Sequence, residues 1–518
     1  MIFDLNLLKP KTTIEKNTDV CIVGGGTAGI YIAQALAKNN INSSIIELGN
    51  KNIKSAKESF LSPIFASKIY RGANLGRFSG LGGTSTMWGG QMIKLSENDF
   101  QISAKEYSSW PFTRDYLDIY YDKVLRTLGL YKTTHKSSPV SNIKEFFQDT
   151  FLNTKFSYRA STWLPFRSRN FSNKFSKIIK QSSKIDIWIN AKLKNFSECT
   201  FEKGQVKKLT FYGGNNQSLV MSAKIFVFTM GAIESTRHVL EFTRLHSLGN
   251  NFSTPFCDHI STKVGYLNIK KKYAFYKYFA PFFVDGIMRS PRFETNASFQ
   301  KDLNIPSAFV HFTSQIKDGS ALYIFKQLAL KFQRNNADIS LKNINFFKLI
   351  YDLFYVSFWR IFKKRLVLSY DNPVLILIDI EQKPSPDNTI KISSSDDLVI
   401  DWKISKKDRD LAVSISKHFY ECWSKSKKLK EIAELVLLPP KEISNGNFYD
   451  VYHPTGSLPF GLDANKTILN ENLLVRGTNN LYVSSTAIFP SAGSANPGLT
   501  HLALTERLAE HISSSIND

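Results

Sequence analysis

Cysteine is scarce and unpatterned in this 518-residue chain: Cys21, Cys199, Cys257 and Cys422 stand far apart, with no CxxC pair. That argues against a disulfide framework and a cysteine zinc site, and it fits a reducing cytoplasm. Long apolar runs are missing too; none approaches the ~20 residues that a bilayer-spanning helix requires. The opening stretch MIFDLNLLKPKTTIEK lacks a basic flank, an apolar centre and a small-residue cleavage site, so no secretory signal is expected. No histidine pair has ligand spacing with an acid, so no metal is expected, and no GxSxG marks a serine nucleophile.

Acidic charge is also in short supply. The chain has 67 Lys+Arg against 44 Asp+Glu, a formal net charge of +23. Between Lys270 and Leu366 there are 17 basic and 6 acidic residues, so nearly half the excess sits in under a fifth of the chain. The same stretch holds 22 of the 68 aromatic residues. Basic and aromatic side chains together suit an anionic surface, either lipid headgroups or nucleic acid. A compositional habit of the whole chain gives the same counts. The segment has no nucleic-acid recognition motif, and none is expected as partner.

What is present is clearest near the start. Asp19-Val-Cys-Ile-Val23 is a short apolar, β-favouring run. Gly24-Gly25-Gly26-Thr27-Ala28-Gly29 follows, then a helical stretch from Ile30, then Ser44-Ile-Ile ending in Glu47. Strand, glycine turn, helix, strand and acid make a βαβ dinucleotide-binding unit. Gly24 permits the turn, and Gly26 lets the backbone approach a pyrophosphate at the helix N-terminus beside Thr27 and Ala28. Gly29 allows close packing, and Glu47 can accept from a ribose hydroxyl. The motif does not by itself separate NAD from FAD. The absence of a second such unit argues against a flavoprotein with its own NAD(P)H site.

Two further stretches carry small residues for close backbone approach to a flat ligand. Gly76-Arg77-Phe78-Ser79-Gly80-Leu81-Gly82-Gly83-Thr84-Ser85-Thr86-Met87-Trp88-Gly89-Gly90 is too glycine-rich for a helix or regular strand. Near the end, Val451-Tyr452-His453-Pro454-Thr455-Gly456 sets a histidine before a turn, and 480–485 reads as a strand. Asn496 suits the N-cap and Pro497 the first turn of an amphipathic helix over 499–512.

Together these blocks resemble the glucose–methanol–choline (GMC) oxidoreductase family: the βαβ start, GGTSTMWGG, Trp110-Pro111-Phe112 with Tyr120-Tyr121, and the ending HPTG…NLYVSS…FPSAGSANPGLT. Thr229-Met-Gly-Ala-Ile-Glu234 and Pro255-Phe-Cys-Asp-His259 belong to the same pattern. The likeness spans roughly 18–130, 185–260 and 375–515 in the family's order. It is nearest the branch with pyranose oxidase, cholesterol oxidase and bacterial sugar dehydrogenases, because the ending pairs one histidine with Asn496-Pro497.

The resemblance implies an α/β protein (α+β overall): a Rossmann-like FAD-binding domain from 1–261 and 441–518, and an antiparallel-sheet substrate domain over 262–440. Cofactor contacts are expected from Gly24, Gly26, Thr27, Ala28, Gly29, Glu47, Arg77, Gly83, Thr84, Ser85, Trp88, Gly89, Ala191 (after a strand at 187–191), Ser485, Asn496 and Pro497. His453 is expected as the proton acceptor and Asn496 as its partner on the substrate oxygen. His259 is expected to be structural, and His238, His501 and His511 to be packed or solvent-facing. Where relatives attach FAD covalently, a histidine stands in the place of Met87, so FAD is expected to be noncovalent. Ser457-Leu-Pro-Phe460 and Ser485 also depart from the family's usual residues.

The expected reaction is oxidation of a hydroxyl of a sugar or glycoside by hydride transfer to flavin N5, with oxygen, a quinone or a protein as electron acceptor. A lipidic or sterol alcohol, or a flavin-bound protein without turnover, are the alternatives. Residues 320–366 fall outside the family pattern. Within them, 346–366 reads as a helix with Phe347, Ile350, Tyr351, Phe354, Phe358 and Ile361 on one face and Lys363, Lys364 and Arg365 at its end. Such a helix suits the interface of an anionic membrane, on the cytoplasmic side. A buried helix or an oligomer contact suits the same pattern.

Overall fold

Residues 20–23, 43–46 and 225–228 are buried without alternation, the mark of parallel strands covered on both faces. A computed structural model describes residues 1–60, 62–101, 109–136, 140–248, 254–314, 316, 320–334, 346–367 and 373–517, and in it these runs form the centre of a nine-stranded sheet. Its order is Ile2–Asp4, Ile185–Ile189, Ser43–Ile46, Thr13–Val23, Ser218–Phe228, Gln205–Tyr212 and Lys192–Leu193. Leu481–Val483 adds in parallel to Ser218–Phe228. The register aligns Val23 with Ile46 and with Phe228, and Phe228 with Val483. The carboxyl ends of four parallel strands therefore finish together. Ligands of open α/β sheets bind there, where the chain leaves the sheet.

Two helices close one side of this layer. Thr27–Lys38 is buried over most of its length, and the C-terminal helix Gly498–Asn517 packs on it and on Arg114–Leu128.

The second layer shows the opposite burial pattern. Along Val374–Glu381, Val374, Ile376, Ile378 and Ile380 are buried while Leu375, Leu377 and Asp379 are partly exposed. Such period-two burial belongs to an antiparallel sheet. Its order is Ala433–Leu437, His259–Ile269, Val374–Glu381, Ala308–Thr313, Ile287–Thr295, Phe156–Trp163 and Gln91–Met92. The helix Lys406–Lys425 covers one face with Phe419 and Trp423 in a core that includes Phe279 and Phe293.

The expected domain division does not coincide with the sheets. Gln91–Met92, Phe156–Trp163 and Tyr449–Asp450, all from the range assigned to the first domain, pair into the second sheet. Strand pairing is long-range, and no local signal marks which sheet a short run joins. The strand expected at 187–191 is Ile185–Ile189, with Ala191 just beyond it. The strand Thr389–Ile392 belongs to a separate three-stranded sheet with Leu398–Asp401 and Ile64–Phe65.

In the 320–366 region the helices Ala321–Gln333 and Phe346–Ile361 touch one another. Residues 335–345 and the Phe347 side chain lie outside the described part. No helix among the described residues is long and apolar enough to cross a membrane.

Candidate functional site

A cavity of about 810 Å³ lies where the parallel strands end and reaches the edge of the antiparallel sheet. That volume falls within the range of small-molecule and cofactor sites. Gly24, Gly26, Thr27, Ala28, Glu47, Arg77, Gly83, Thr84, Trp88, Gly89 and Ala191 line it, as do His453, Asn496 and Pro497. Three expected residues do not line it: Gly29, Ser85 and Ser485.

At one end, the glycine turn is dictated by contact. Gly24 has φ +112°, and a Cβ there would stand 2.8 Å from the Thr229 carbonyl oxygen. Gly29 packs beneath the turn, where a Cβ would come 1.9 Å from the Gly24 oxygen. Its role is packing rather than ligand contact. Thr229 Oγ1 donates within reach of the Val23 and Gly24 carbonyls, at 3.0 and 2.7 Å, and ties the turn to the neighbouring strand. No side chain caps the helix Thr27–Lys38, and the space in front of Gly26 is open. An uncapped helix N-terminus is a ready anion site.

Glu47 is more committed than its place in the motif suggests. Its Oε2 accepts from the Gly25 N–H at 2.7 Å, and its Oε1 from Gly49 and Gly80 at 2.9 and 2.8 Å. A carboxylate has about four acceptor positions, so three are spent on closing the loops and one is left for a ligand.

The glycine-rich loop passes along the middle. Arg77 donates to Glu234 at 2.6 Å and to the Ala73 carbonyl at 2.7 Å. Trp88 donates to the Arg169 carbonyl at 2.9 Å. Ser85 faces away from the cavity: its hydroxyl donates to Gly82 at 2.5 Å and accepts from the Phe171 N–H at 3.1 Å. Ser485 is likewise buried off the cavity, and its neighbour Thr486 lines it instead. Along an extended segment adjacent residues point to opposite sides, so an error of one position reverses the assignment.

At the other end stands His453. Two backbone pairings, Ile260 with Asp450 and Cys257 with Thr455, bracket it and bring it against His259. The two Nδ1 atoms are 3.1 Å apart, and His259 Nε2 lies 2.5 Å from the Gly493 carbonyl oxygen. A carbonyl only accepts, so His259 carries its proton on Nε2. Burial pulls the His259 imidazole below its ordinary value and keeps it neutral, so its Nδ1 is an acceptor. His453 must then donate from Nδ1, which leaves its Nε2 as a lone-pair acceptor. No described residue bonds that nitrogen. Burial, then the adjacent His259, push His453 down to about 3. It is a neutral base at physiological pH. His259, expected to be structural, is the residue that sets this tautomer.

Asp258 accepts the His453 backbone N–H at 2.8 Å and the Tyr70 hydroxyl. Asp258, His259 and His453 bring metal-ligand atom types within 4.8 Å of one another. A shared ion would need the Nδ1 lone pair that His453 gives up in donating to His259.

Asn496 was expected to cap the last helix. The first helical hydrogen bond instead runs from His501 N to the Pro497 carbonyl at 2.9 Å, so Pro497 takes the cap position. The Asn496 side chain is thereby free for another task. Its Oδ1 accepts from Arg292 Nη1 at 3.3 Å. A guanidinium only donates, so the amide presents its Nδ2 hydrogens as the other hand. Arg292 is buried and held by Glu294 at 3.0 Å, which also pairs with Arg159 at 2.7 Å. Burial pulls Arg292 down to about 10, which leaves it a cation at neutral pH.

The sequence alone does not single out Arg292, Glu294 or Arg334, and it leaves His238 and His501 as packed or solvent-facing. Both histidines line the cavity, as does Arg334. Burial pushes His501 down to about 4. Their helical spacing gave no sign of this. Met87 also lines the cavity.

Residues 384–505 match the family model described as GMC oxidoreductase. Among solved structures the chain is similar to pyridoxine 4-oxidase from Mesorbium loti, at 15% identity over 96% of this chain and 99% of that one, with a TM-score of 0.59. It is similar to formate oxidase from Aspergillus oryzae, in a structure concerned with FAD modification, at 16% identity over 99% and 100%, TM-score 0.57. A further formate oxidase structure aligns at 14% identity over the same shares, TM-score 0.57. At these identities the likeness is one of fold. No curated protein matches the chain by sequence.

Proposed function

We propose that this chain, whose residues 384–505 match the GMC oxidoreductase model and whose fold is shared with two solved oxidases, is an oxidoreductase of that family that oxidises a hydroxyl of a small-molecule alcohol with FAD as its redox group. One observation carries the reading: an acceptor, His453 Nε2, and a donor, Asn496 Nδ2, line the same cavity as an uncapped glycine turn.

The residues present fit FAD. The helix start at Gly26, Thr27 and Ala28 suits the pyrophosphate, and the one spare acceptor of Glu47 with Ala191 suits the adenosine ribose. Gly83, Thr84, Trp88, Gly89, Asn496 and Pro497 would hold the flavin in the remainder of the cavity. When bound, FAD supplies the acceptor for the carbon-bound hydrogen, taken as hydride at N5. Met87 has no nucleophilic nitrogen, which supports noncovalent binding.

A substrate hydroxyl is both donor and acceptor. It can give its hydrogen to His453 Nε2 while its oxygen accepts from Asn496 Nδ2, which fixes the direction of its C–H bond. As the hydride leaves, His453 takes the hydroxyl proton at Nε2. The Nδ1–H bond to His259 holds the ring while the imidazole charges. Arg292 and Glu294 keep the Asn496 amide from rotating.

The carbohydrate reading rests on the resemblance of the chain's ending to the sugar-oxidising branch. The two structural relatives are named for pyridoxine and formate, and neither name favours a sugar. A lipidic alcohol is the second reading, favoured by exposed aromatic residues on the 346–361 helix. A cytoplasmic location, peripheral on the membrane face, belongs to the same proposal; four free cysteines and the basic excess support it. Anaerobic reduction of the bound flavin by a panel of sugars, glycosides and lipid alcohols tests the function. Bleaching with one class assigns the substrate, and no bleaching with any would leave a flavin protein without turnover.

A further inference from the structure

The helix Phe346–Ile361 resolves one of the alternatives that its sequence left open. A buried core helix would hide its apolar face. Here Asp352, Val356 and Trp359 form the buried edge. Ile350, Tyr351, Phe354, Phe358 and Ile361 form an exposed stripe at helical spacing, with Tyr351 68%, Phe354 75% and Ile361 65% accessible. Phe362 extends it past the helix end, its ring tilted against that of Phe358 with centroids 5.5 Å apart. Tyr273 adjoins it, because the Lys363 ammonium lies over both the Tyr273 and Phe358 rings, at 5.4 and 5.9 Å. A contiguous apolar patch of this kind marks an interaction site rather than ordinary surface.

Charge names the occupant. Among the described residues of 320–334 and 346–367, the exposed charged side chains are Lys326, Lys331, Lys363 and Lys364, and none has an acidic partner. Asp352, the one acid among these described residues, is buried on the inner edge. Arg365 does not share this role. Its guanidinium donates to the Tyr276 and Lys277 carbonyls at 3.1 and 2.9 Å, and it clamps the helix end to the body of the protein.

The neighbouring helix Ala321–Gln333 repeats the pattern with exposed Phe325, Leu328 and Phe332. It ends at the cavity: Gln333 donates to the Trp88 carbonyl at 2.8 Å, and Arg334 lines the cavity itself.

We propose that the Ile350–Phe362 stripe, flanked at its C-terminal end by Lys363 and Lys364, docks this protein on an anionic lipid bilayer, and that the Ala321–Gln333 helix joins that surface to the cavity. Aromatic and aliphatic side chains would enter the headgroup boundary while the lysines meet anionic headgroups. The substrate class that follows is an alcohol presented at a bilayer surface. The docking surface stands on its own observations; its tie to substrate rests on the oxidoreductase reading.

The test is sedimentation of the purified full chain with phosphatidylcholine vesicles, with and without phosphatidylglycerol. The wild type should pellet with the anionic vesicles at low salt and not with the neutral ones, and added salt should weaken the binding. Lys363→Glu with Lys364→Glu, and separately Phe354→Ser, should each lower binding at least tenfold while leaving Tm and flavin content unchanged. Because the side chains concerned are exposed, a Tm that falls with either variant would overturn the docking assignment. So would wild-type protein that stays in the supernatant with anionic vesicles, or binding that survives both variants. A dimer in solution that Phe354→Ser dissociates, without vesicle binding, would assign the stripe to a second copy instead. None of these readouts requires turnover, so they fail or succeed independently of the proposed reaction.

Discussion

His259 Nδ1 and His453 Nδ1 face each other at 3.1 Å, and the Gly493 carbonyl behind His259 fixes which of the two donates. The carbonyl can only accept, the His259 ring is neutral and one hydrogen is shared, so His453, which lines the cavity, carries an unprotonated Nε2.

That relation predicts a contrast between two substitutions. His259→Leu removes both the acceptor for His453 Nδ1 and the donor to Gly493. It should slow flavin reduction about 10–100-fold with FAD retained, by analogy with a metal-bound histidine that loses its orienting partner. His259→Gln offers an amide with a donor and an acceptor at its tip, and it should restore most of that loss. Equal slowing by both variants would point to packing alone.

The pH dependence has a definite sign. Burial first, then His259, lower His453 from its ordinary value near 6.5 to about 3, with Arg292 acting in the same direction and Asp379 against it. A group with a lowered folded value stays unprotonated as the pH falls through 6.5. The rate of flavin reduction should therefore show no acid limb between about pH 7 and about pH 5 from this residue. By linkage, His453 contributes stability that is complete above 6.5 and is lost as the pH falls toward about 3. His453→Gln should accordingly flatten the fall of Tm with acid. An acid limb centred near 6.5 that disappears in the variant would contradict the assignment.

The glycine turn predicts two different failures. Gly29→Ala places a Cβ 1.9 Å from the Gly24 oxygen, so the turn itself must move. A loss of about 2–3 kcal/mol or more in stability is expected, together with loss of flavin. Gly26→Ala meets no protein atom within 4 Å. It should leave Tm of the flavin-free protein nearly unchanged and weaken FAD binding alone. Equal loss of stability in both would show that Gly26 serves the fold rather than a ligand.

How much of this could be read in the sequence depends on distance along the chain. The glycine turn, the apolar strands around it, the cavity positions of the Gly-rich loop and the His453–Asn496 pair are local signals, and the structure brings them together. Partners that act across sheets gave no such signal. His259 lies 194 residues from His453, and Arg292 lies 204 from Asn496. Each is placed by strand pairing in the antiparallel sheet, which no short window of sequence reports. His238 and His501 sit on helices at positions where burial and cavity lining look alike. Ser85 and Ser485 show the limit of a motif match: their segments border the cavity, but these two side chains turn to the other face.

The proposal that Phe346–Ile361 meets a bilayer follows from the same distinction. Periodicity established that one face is apolar, and only the packed structure shows that this face is the exposed one.

Rapid-mixing measurement of anaerobic flavin reduction, comparing wild type with His453→Ala on the best alcohol found, tests the assignment of His453 as the proton acceptor. Both proteins should carry FAD, the wild-type flavin should be reduced, and the variant should be slower by roughly 10²–10⁴-fold, the range for a positioned acid–base group. A variant that reduces its flavin as fast as the wild type, or a wild type that binds no FAD at all, would contradict that assignment.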